Sequence, residues 1–319
     1  MTNRISSRFS KDSLCVVGNI NRDVTVHQVP GSTALLQDGE TSVPRISETI
    51  GGGGANSACS AAALGADVHF IGKVGRDPLG LKLQHSMEGH GVKTFLAKSA
   101  KCSSGTTVAL GFETGHRHFL SCLPNNETLR FSDLDLSALR GCRHLLRADV
   151  WFSAQMLETG NERLFKEARA RGLRTSLDIN FDPVWSHGPR TQIRRRKQLL
   201  RRVLPLVDMA HGNVRELCEF ADAPDVGTAL RNIERWGTRS VVIHLGKKGA
   251  GFYSDGKLIV EPAYRAKRTV TTTGTGDVLS ICMILLADVQ DLSICQKLRM
   301  SNRIVREFME GRLNLIPAL

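Results

Sequence analysis

Residues 207–246, VDMAHGNVRELCEFADAPDVGTALRNIERWGTRSVVIHLG, decide the fold class of this chain. VDMAHGN is predicted as a strand and VRELCEFA as the helix that follows it. DVGTALRNIERWG is predicted as a second helix, which leads to the strand RSVVIHLG. Strands that alternate with helices at this spacing predict a parallel sheet with helices on both of its faces.

The same alternation begins near residue 140. Strand-like HLLRADVWFS precedes helical ETGNERLFKEARARG, and strand-like LRTSLDIN precedes an arginine-rich helix. Ligands of such sheets bind at the carboxyl ends of the strands. The segments GNINRD, DINFD, GNVRE and LGKKG all follow predicted strands, so we expect them to surround one site.

The first third of the chain has a different pattern. A strand, SLCVVGNI, precedes weaker, half-polar segments within residues 22–50, and similar segments recur within residues 105–123, where a hairpin is predicted across ETG. Strands of this kind have one face in water. We therefore predict that these two segments form a small separate sheet, a lid over the site.

Composition excludes several classes of protein. Of the 319 residues, 41% are hydrophobic and 23% charged, which is ordinary for a globular protein. No stretch approaches the roughly 20 apolar residues of a membrane span. The polar start, MTNRISSRFSKDS, lacks the apolar part of a secretory signal, so we expect a cytoplasmic protein with a flexible tail at residues 1–12. Eight scattered cysteines without a CxxC pair predict neither a zinc site nor disulfides.

The net charge of +12 comes largely from residues 190–205, RTQIRRRKQLLRRVLP. Their apolar residues recur at helical spacing, with arginines on the other face. Only 5% of the chain is aromatic, and no aromatic residue interleaves with these arginines to stack on bases. The pattern favours the solvated face of an amphipathic helix over a nucleic-acid site.

Residues 271–280, TTTGTGDVLS, carry the first candidate for chemistry. Two glycines before a helix allow backbone N–H groups to surround an anion. Asp277 then has two interpretations: a helix N-cap, or a base that accepts a proton from an attacking hydroxyl. This stretch alone does not separate them. The four glycines of GGGGANSA, residues 51–58, run directly into a helix of small residues, and this second close-approach loop favours the base.

Six segments, taken in their order and spacing, resemble the ribokinase-like (PfkB-type) carbohydrate and nucleoside kinases: GNINRD, GGGGANSACSAAALG, GKVGRDPLG, GNVRE, HLGKKGAG and TTGTGD. The resemblance extends from about residue 13 to about residue 312. It implies a three-layer α/β/α sandwich with a mainly parallel central sheet and a small β lid, as one kinase domain over residues 13–319. It also implies transfer of the γ-phosphoryl group of ATP to a hydroxyl.

The resemblance implies roles for individual residues. Asp277 corresponds to the catalytic base, and the N–H groups of the loop 274–277 to the anion hole, with Gly274, Thr275 and Gly276 as its other members. Asn213 and Glu216 match an N-x-x-E pattern that acts on Mg²⁺ and the phosphates, largely through water. The residues implied to bind substrate are Asn21, Asp23, Gly52, Gly53, Asn56, Asn126 and Glu158. Those implied to bind the nucleotide are Asn213, His244, Gly246, Gly249 and Asn302.

Two of these residues have an alternative, purely structural interpretation. Asn126 is equally typical of a turn, and Glu158 is equally typical of the first turn of a helix. Asp178 and Asn180 also lie at a strand end that faces the expected site.

Four positions depart from the family pattern. Thr271 replaces an acidic residue, which argues against activation by a monovalent cation there. Thr275 is β-branched where the anion hole commonly has alanine. Gly53 replaces the lysine of ribokinase itself, and Asp182 replaces an arginine that reads an anionic substrate, which favours a neutral one.

The preferred interpretation is an ATP- and Mg²⁺-dependent kinase of a small sugar. Two alternatives stay open. One is a nucleoside kinase on the same fold, which the low aromatic content disfavours. The other is a catalytically weak member that binds sugar or nucleotide as a sensor. We expect no membrane partner and no nucleic acid, and exposed lid strands leave a homodimer through the lid open.

Overall fold

Two sheets organise the computed structural model, which describes residues 13–31 and 37–319. The large sheet has the strand order β13-β12-β11-β10-β9-β8-β1-β4-β5, and the smaller sheet the order β3-β2-β6-β7. The predicted tail at residues 1–12 lies outside the described residues. The strands are β1 (Leu14–Val17), β2 (Asn21–Val29), β3 (Arg45–Gly51), β4 (Val68–Gly75), β5 (Val92–Ser99), β6 (Gly105–Phe112), β7 (Arg117–Cys122), β8 (His144–Arg147), β9 (Arg174–Asp178), β10 (Met209–Asn213), β11 (Ser240–His244), β12 (Ala250–Ser254) and β13 (Lys257–Glu261).

Helices connect the strands and cover the large sheet. They are α1 (Gly53–Ala63), α2 (Pro78–Gly89), α3 (Pro124–Glu127), α4 (Asn161–Ala170), α5 (Val184–His187), α6 (Arg190–Arg201), α7 (Val214–Ala221), α8 (Val226–Arg235), α9 (Thr275–Leu286) and α10 (Ile294–Met309). Short turns of 3₁₀ or π helix occur at Phe131–Asp133, Leu136–Leu139, Met156–Gly160, Leu204–Leu206 and Gly246–Lys248.

The large sheet is mostly parallel and buried on both faces. Among its strand pairs in the described residues, β11–β12 and β12–β13 are antiparallel and the others are parallel. Successive β1 residues point to opposite faces. Cys15 and Val17 pack in the cluster that contains α4, α6, α7 and α8, whereas Leu14 and Val16 pack with α1, α2, α9 and α10. The predicted three-layer α/β/α architecture is confirmed.

The strands of the smaller sheet come from the two segments predicted for the lid, with β2 starting at Asn21 and β3 ending at Gly51. Its two faces differ in chemistry. Asp23 is opposite Thr107, which is opposite Ser121, so these three polar residues share one face. Val24, Val108 and Leu120 form the adjacent row on the other face.

Strand β8 is shorter than predicted. The sequence suggested a strand through residue 153, but the regular strand ends at Arg147. Asp149 has φ 54°, in the left-handed region, so the chain turns there.

All eight cysteines are free thiols in the structure. Within the described residues, no helix is both long and apolar enough to cross a membrane.

Candidate active site

The loop before α9 leaves backbone N–H groups free for an anion. Gly274 is the N-cap, with φ 80°, and the Val278 N–H donates to its carbonyl at 3.0 Å. A helix has no internal partners for its first N–H groups, here those of Thr275, Gly276 and Asp277. The positive φ favours glycine here, and a Cβ atom would also displace the Ile316 Cδ1 atom, which it would meet at 2.5 Å.

Asp277 lies in the first turn of α9 but does not cap it. The N-cap is Gly274, which makes no side-chain capping bond, so the N-cap interpretation is wrong. The Asp277 Oδ2 atom instead accepts a hydrogen bond from Asn56 Nδ2 at 3.1 Å. Burial and then the Asp149 carboxylate raise the pKa of Asp277 to about 8, while the bond from Asn56 lowers it. A carboxylate that binds protons this readily suits a general base.

Asp149 orders the glycine loop, a role that the sequence did not reveal. Its carboxylate accepts backbone N–H groups from Asn19 at 2.9 Å, Gly53 at 3.2 Å and Gly54 at 2.7 Å. Burial raises the pKa of Asp149, and these three N–H donors lower it. The only signal in the sequence was an acidic residue near a strand end, inside a segment predicted as strand. The Gly53 amide is thereby engaged by protein.

Asn21 and Asp23 form the start of the smaller sheet next to this loop. Asn21 Nδ2 donates to Asp23 Oδ1 at 2.7 Å. A Cβ atom on Gly51 would lie 2.0 Å from Asp23 Oδ1, so glycine at this position leaves room for the carboxylate. Burial raises the pKa of Asp23 to about 6, against the bond from Asn21. The carboxylate can accept two hydroxyl groups of a ligand.

Asn126 and Glu158 lie in different surroundings. Asn126 is buried, and its Oδ1 atom accepts the Ile20 N–H at 3.2 Å, directly before β2. The Asn126 Nδ2 group is buried without a partner among the residues that the structure describes. Glu158 instead pairs with Arg195 of α6, with both side chains substantially exposed. Asn126 therefore lies with the substrate candidates, and Glu158 belongs to a surface ion pair.

Asn213 and Glu216 cap α7 reciprocally. The Glu216 N–H donates to Asn213 Oδ1 at 3.0 Å, and the Asn213 N–H donates to Glu216 Oε2 at 2.7 Å. Burial raises the pKa of Glu216, and burial raises that of nearby Asp178 well above its usual range. Across residues 13–31 and 37–319, no three His, Cys, Asp or Glu side chains are placed to hold a metal. These hard oxygen donors fit Mg²⁺ that keeps most of its waters.

A cavity of about 530 Å³ borders the anion loop, and four of the five predicted nucleotide residues line it, Asn213 being the exception. His244, Gly246, Gly249, Asn302 and Thr275 line it. Its volume is in the range of small-molecule sites.

Two of these residues contact protein groups in ways the sequence did not suggest. The Nε2 atom of His244 lies 3.1 Å from Ser280 Oγ, and burial lowers the pKa of His244 to about 4, so the ring is neutral near pH 7. Asn302 Nδ2 donates to the carbonyls of Glu261 and Pro262, both at 3.0 Å. Asn302 therefore shapes the wall of the cavity through the backbone.

Two departures from the family pattern gain a physical explanation. Thr275 Oγ1 donates to the Thr272 carbonyl at 3.0 Å, so the extra hydroxyl is satisfied inside the loop. Asp182 is buried, and it accepts Arg196 Nε at 2.6 Å and the Val184 N–H at 3.0 Å. Asp182 thus pairs with α6, and the expectation of a neutral substrate stays a prediction.

The basic helix α6 is held by ion pairs. Lys197 binds Glu219 and Asp222, each at 2.8 Å, and Arg202 binds Glu162 at 3.0 Å. These contacts agree with the predicted amphipathic helix.

Comparison with known proteins places this geometry in context. Residues 11–280 match the family described as pfkB family carbohydrate kinase. A fructokinase of Vibrio alginolyticus is 26% identical over 247 residues, which cover 76% of this chain and 77% of the relative. A ribokinase of Arabidopsis thaliana is 25% identical over 277 residues, which cover 83% of this chain and 67% of the relative.

A solved structure shows the same fold. A putative ribokinase II from E. coli, in complex with ATP and Mg²⁺, superposes with a TM-score of 0.78 at 19% identity, covering 94% of this chain and 93% of the other.

Proposed function

The chain belongs to the pfkB family of carbohydrate kinases, and from this premise we propose that it transfers the γ-phosphoryl group of ATP to a hydroxyl of a small sugar. Asp277 is the base, and the N–H groups of the loop 274–277 form the anion hole. The proposal rests chiefly on the position of the first turn of α9. Its Asp277 meets Asn56, while its Thr275 and Gly276 line the 530 Å³ cavity.

The reaction requires a proton acceptor and a site for developing negative charge. Asp277 takes the proton of the sugar hydroxyl as that oxygen attacks the γ-phosphorus in line. Asn56 holds the carboxylate by its 3.1 Å hydrogen bond and fixes its direction. The free amides at the start of α9 stabilise the phosphoryl oxygens, assisted by the positive end of the helix.

Mg²⁺, held through water by Asn213 and Glu216, would neutralise charge on the phosphates. The site otherwise places several carboxylates close together. Asp149, Glu216 and Asp23 all raise the pKa of Asp277. A bound cation offsets this repulsion and favours the ionised, proton-accepting form of Asp277.

The sugar is held on the side of the smaller sheet. Asp23 and Asn21 lie at the start of β2, and Asn56 follows the glycine loop. A carboxylate and two amides suit a ligand with several hydroxyl groups. Gly52 and Gly53 contribute by letting the loop pack closely against Asn19 and Asp149.

A panel of neutral sugars, sugar acids, sugar phosphates and nucleosides tests the proposal, with Mg²⁺-ATP and ADP release as the readout. We expect turnover with at least one sugar. Turnover with nucleosides only would favour a nucleoside kinase. Tight binding without ADP release would favour a sensor.

We also propose a homodimer formed through the outer face of the smaller sheet. Ile46 and Leu120 are 60% and 54% exposed there, in rows with Val24, Val26 and Val108. Exposed apolar faces of this kind commonly mark interfaces. The cytoplasmic location expected from the sequence stays a prediction.

A further inference from the structure

An arginine of the smaller sheet reaches the anion loop. The Nη1 group of Arg117, the first residue of β7, donates to Thr273 Oγ1 at 2.8 Å. Thr273 directly precedes Gly274, the N-cap of α9. The contact joins positions 156 residues apart, so it depends on how the two sheets are arranged. It brings a cation to the start of the proposed phosphoryl site.

The strand register places Arg117 on the face that carries the proposed sugar site. Ser121 of β7 is opposite Thr107, which is opposite Asp23. Side chains two and four positions apart on one strand share a face, so Arg117 projects on the same side as Ser121 and Asp23. Arg22, next to Asp23, projects on the opposite side and pairs with Glu48 at 3.5 Å.

The surroundings of the loop favour a cation that meets an incoming phosphate. Asp149, Asp178, Glu216 and Asp277 lie near the carboxyl edge of the large sheet, and Asp23 lies close by in β2. Burial and then neighbouring carboxylates raise the pKa values of Asp23, Asp178 and Asp277. These carboxylates repel a phosphate group that enters. Thr272 and Thr275, on both sides of Thr273, line the nucleotide cavity.

We propose that Arg117 binds the γ-phosphate of the bound nucleoside triphosphate and makes the protein prefer a triphosphate to a diphosphate. This inference rests on the proposed kinase function. The guanidinium has a neutral hydroxyl acceptor, Thr273 Oγ1. A phosphate oxygen is a stronger, charge-assisted acceptor with a geometry that fits a guanidinium.

Direct binding measurements test the proposal without turnover. Affinities for Mg²⁺-ADP and for the Mg²⁺ complex of the β,γ-imido analogue of ATP are measured by calorimetry for the wild-type chain and Arg117→Gln. We expect the substitution to weaken binding of the analogue by about 10- to 100-fold and binding of ADP by less than about threefold. Arg117→Lys should restore part of the difference, because lysine retains the charge without the planar fork.

Control variants separate this role from a structural one. Arg22→Gln makes the same chemical change on the opposite face of the sheet and should keep the wild-type preference. Thr273→Val removes the acceptor of the nucleotide-free state. If Arg117 only latches the sheet to the loop, Thr273→Val will reproduce the loss seen in Arg117→Gln, and the proposal is wrong.

Two further outcomes have distinct meanings. If Arg117→Gln melts like the wild type and still prefers the analogue, or changes only the KM of the sugar, the γ-phosphate role is contradicted. If the wild-type chain binds neither nucleotide, the proposed kinase function fails before the role of Arg117 arises.

Discussion

At the scale of the residue, Asp277 is the proposed base, and its surroundings determine how readily it holds a proton. Its carboxylate is joined to Asn56 and lies near Asp149, Glu216 and Asp23, all acidic. Burial and this repulsion make the ionised form costly. Under the proposed function, a bound Mg²⁺ would offset the repulsion and favour the ionised form.

The raised pKa of Asp277 predicts how stability depends on pH. Between about pH 4 and about pH 8 the folded chain holds a proton on Asp277 that the unfolded chain has lost. This contribution is fully present below about pH 4 and is lost as the pH rises through about 8. Asp23, with a pKa of about 6, acts in the same direction over a narrower range.

We therefore expect the melting temperature of the ligand-free protein to fall less between about pH 5 and about pH 9 in Asp277→Asn than in the wild type. The exposed Asp291→Asn is the matched control and should follow the wild type. Equal slopes for Asp277→Asn and the wild type would show that this carboxylate is not the source of the dependence.

The sequence identified residues through local patterns and missed those whose role depends on distant contacts. The two glycine-rich segments predicted the position of Asp277 and Asn56, and the structure joins them by a hydrogen bond. Asp149 could not be found this way, because its partners lie 95 to 130 residues away. The ion pair of Asp182 was missed for a similar reason, since its partner Arg196 belongs to another element.

At the scale of the element, residues 315–319 connect the smaller sheet to the anion loop. The Ile50 N–H donates to the Pro317 carbonyl, and the Leu319 N–H donates to the Glu48 carbonyl, both at 3.2 Å. This segment therefore extends the edge of β3. Leu315 is buried in the cluster that contains α1, α2, α9 and α10, and Ile316 packs against Gly274. The two sheets are thus tied together next to the proposed site of phosphoryl transfer.

Removal of residues 317–319 should loosen β3 selectively. The Ile50 amide loses its acceptor, so its hydrogen exchange should accelerate by about fivefold or more, while amides in the middle of β10 keep their rates. Exchange measured by NMR or mass spectrometry gives both rates in one experiment. An unchanged rate at Ile50 would contradict the account of this contact, and acceleration throughout the chain would indicate global destabilisation instead.

Elements with regular spacing were predicted well, and those shaped by a turn were not. The alternating strands and helices of residues 207–246 correspond to β10, α7, α8 and β11. Strand β8 ended early because Asp149 adopts a positive φ in order to hold the glycine loop. A non-glycine residue in that conformation leaves no sign in hydrophobic spacing.

At the scale of the whole molecule, the smaller sheet presents two chemically different faces. One is polar and carries Asp23, Thr107 and Ser121, and the other exposes an apolar row. The nine-stranded sheet holds the remaining site groups at the carboxyl ends of β1, β8, β9, β10 and β11. Alternation along the sequence and the six family segments predicted this architecture. They did not predict which face of the lid was apolar, since the period-two pattern is weak there.

The apolar face predicts self-association. Ile46→Lys places a charge within the proposed interface and should shift the chain from dimer to monomer in sedimentation velocity at micromolar concentration. Leu258→Lys, at an exposed apolar residue of β13 in the other sheet, is the control and should leave the mass unchanged. A wild-type chain that is monomeric in the same experiment would contradict the proposed interface.

The central claim, that Asp277 is the base of a phosphoryl transfer, is tested most directly by the turnover number of Asp277→Asn with the best sugar of the panel. Folding is checked by the melting curve, and binding of sugar and nucleotide by calorimetry. The account predicts that kcat falls by about 10²–10⁴-fold while both ligands still bind. Near-normal turnover by a folded Asp277→Asn chain would contradict it.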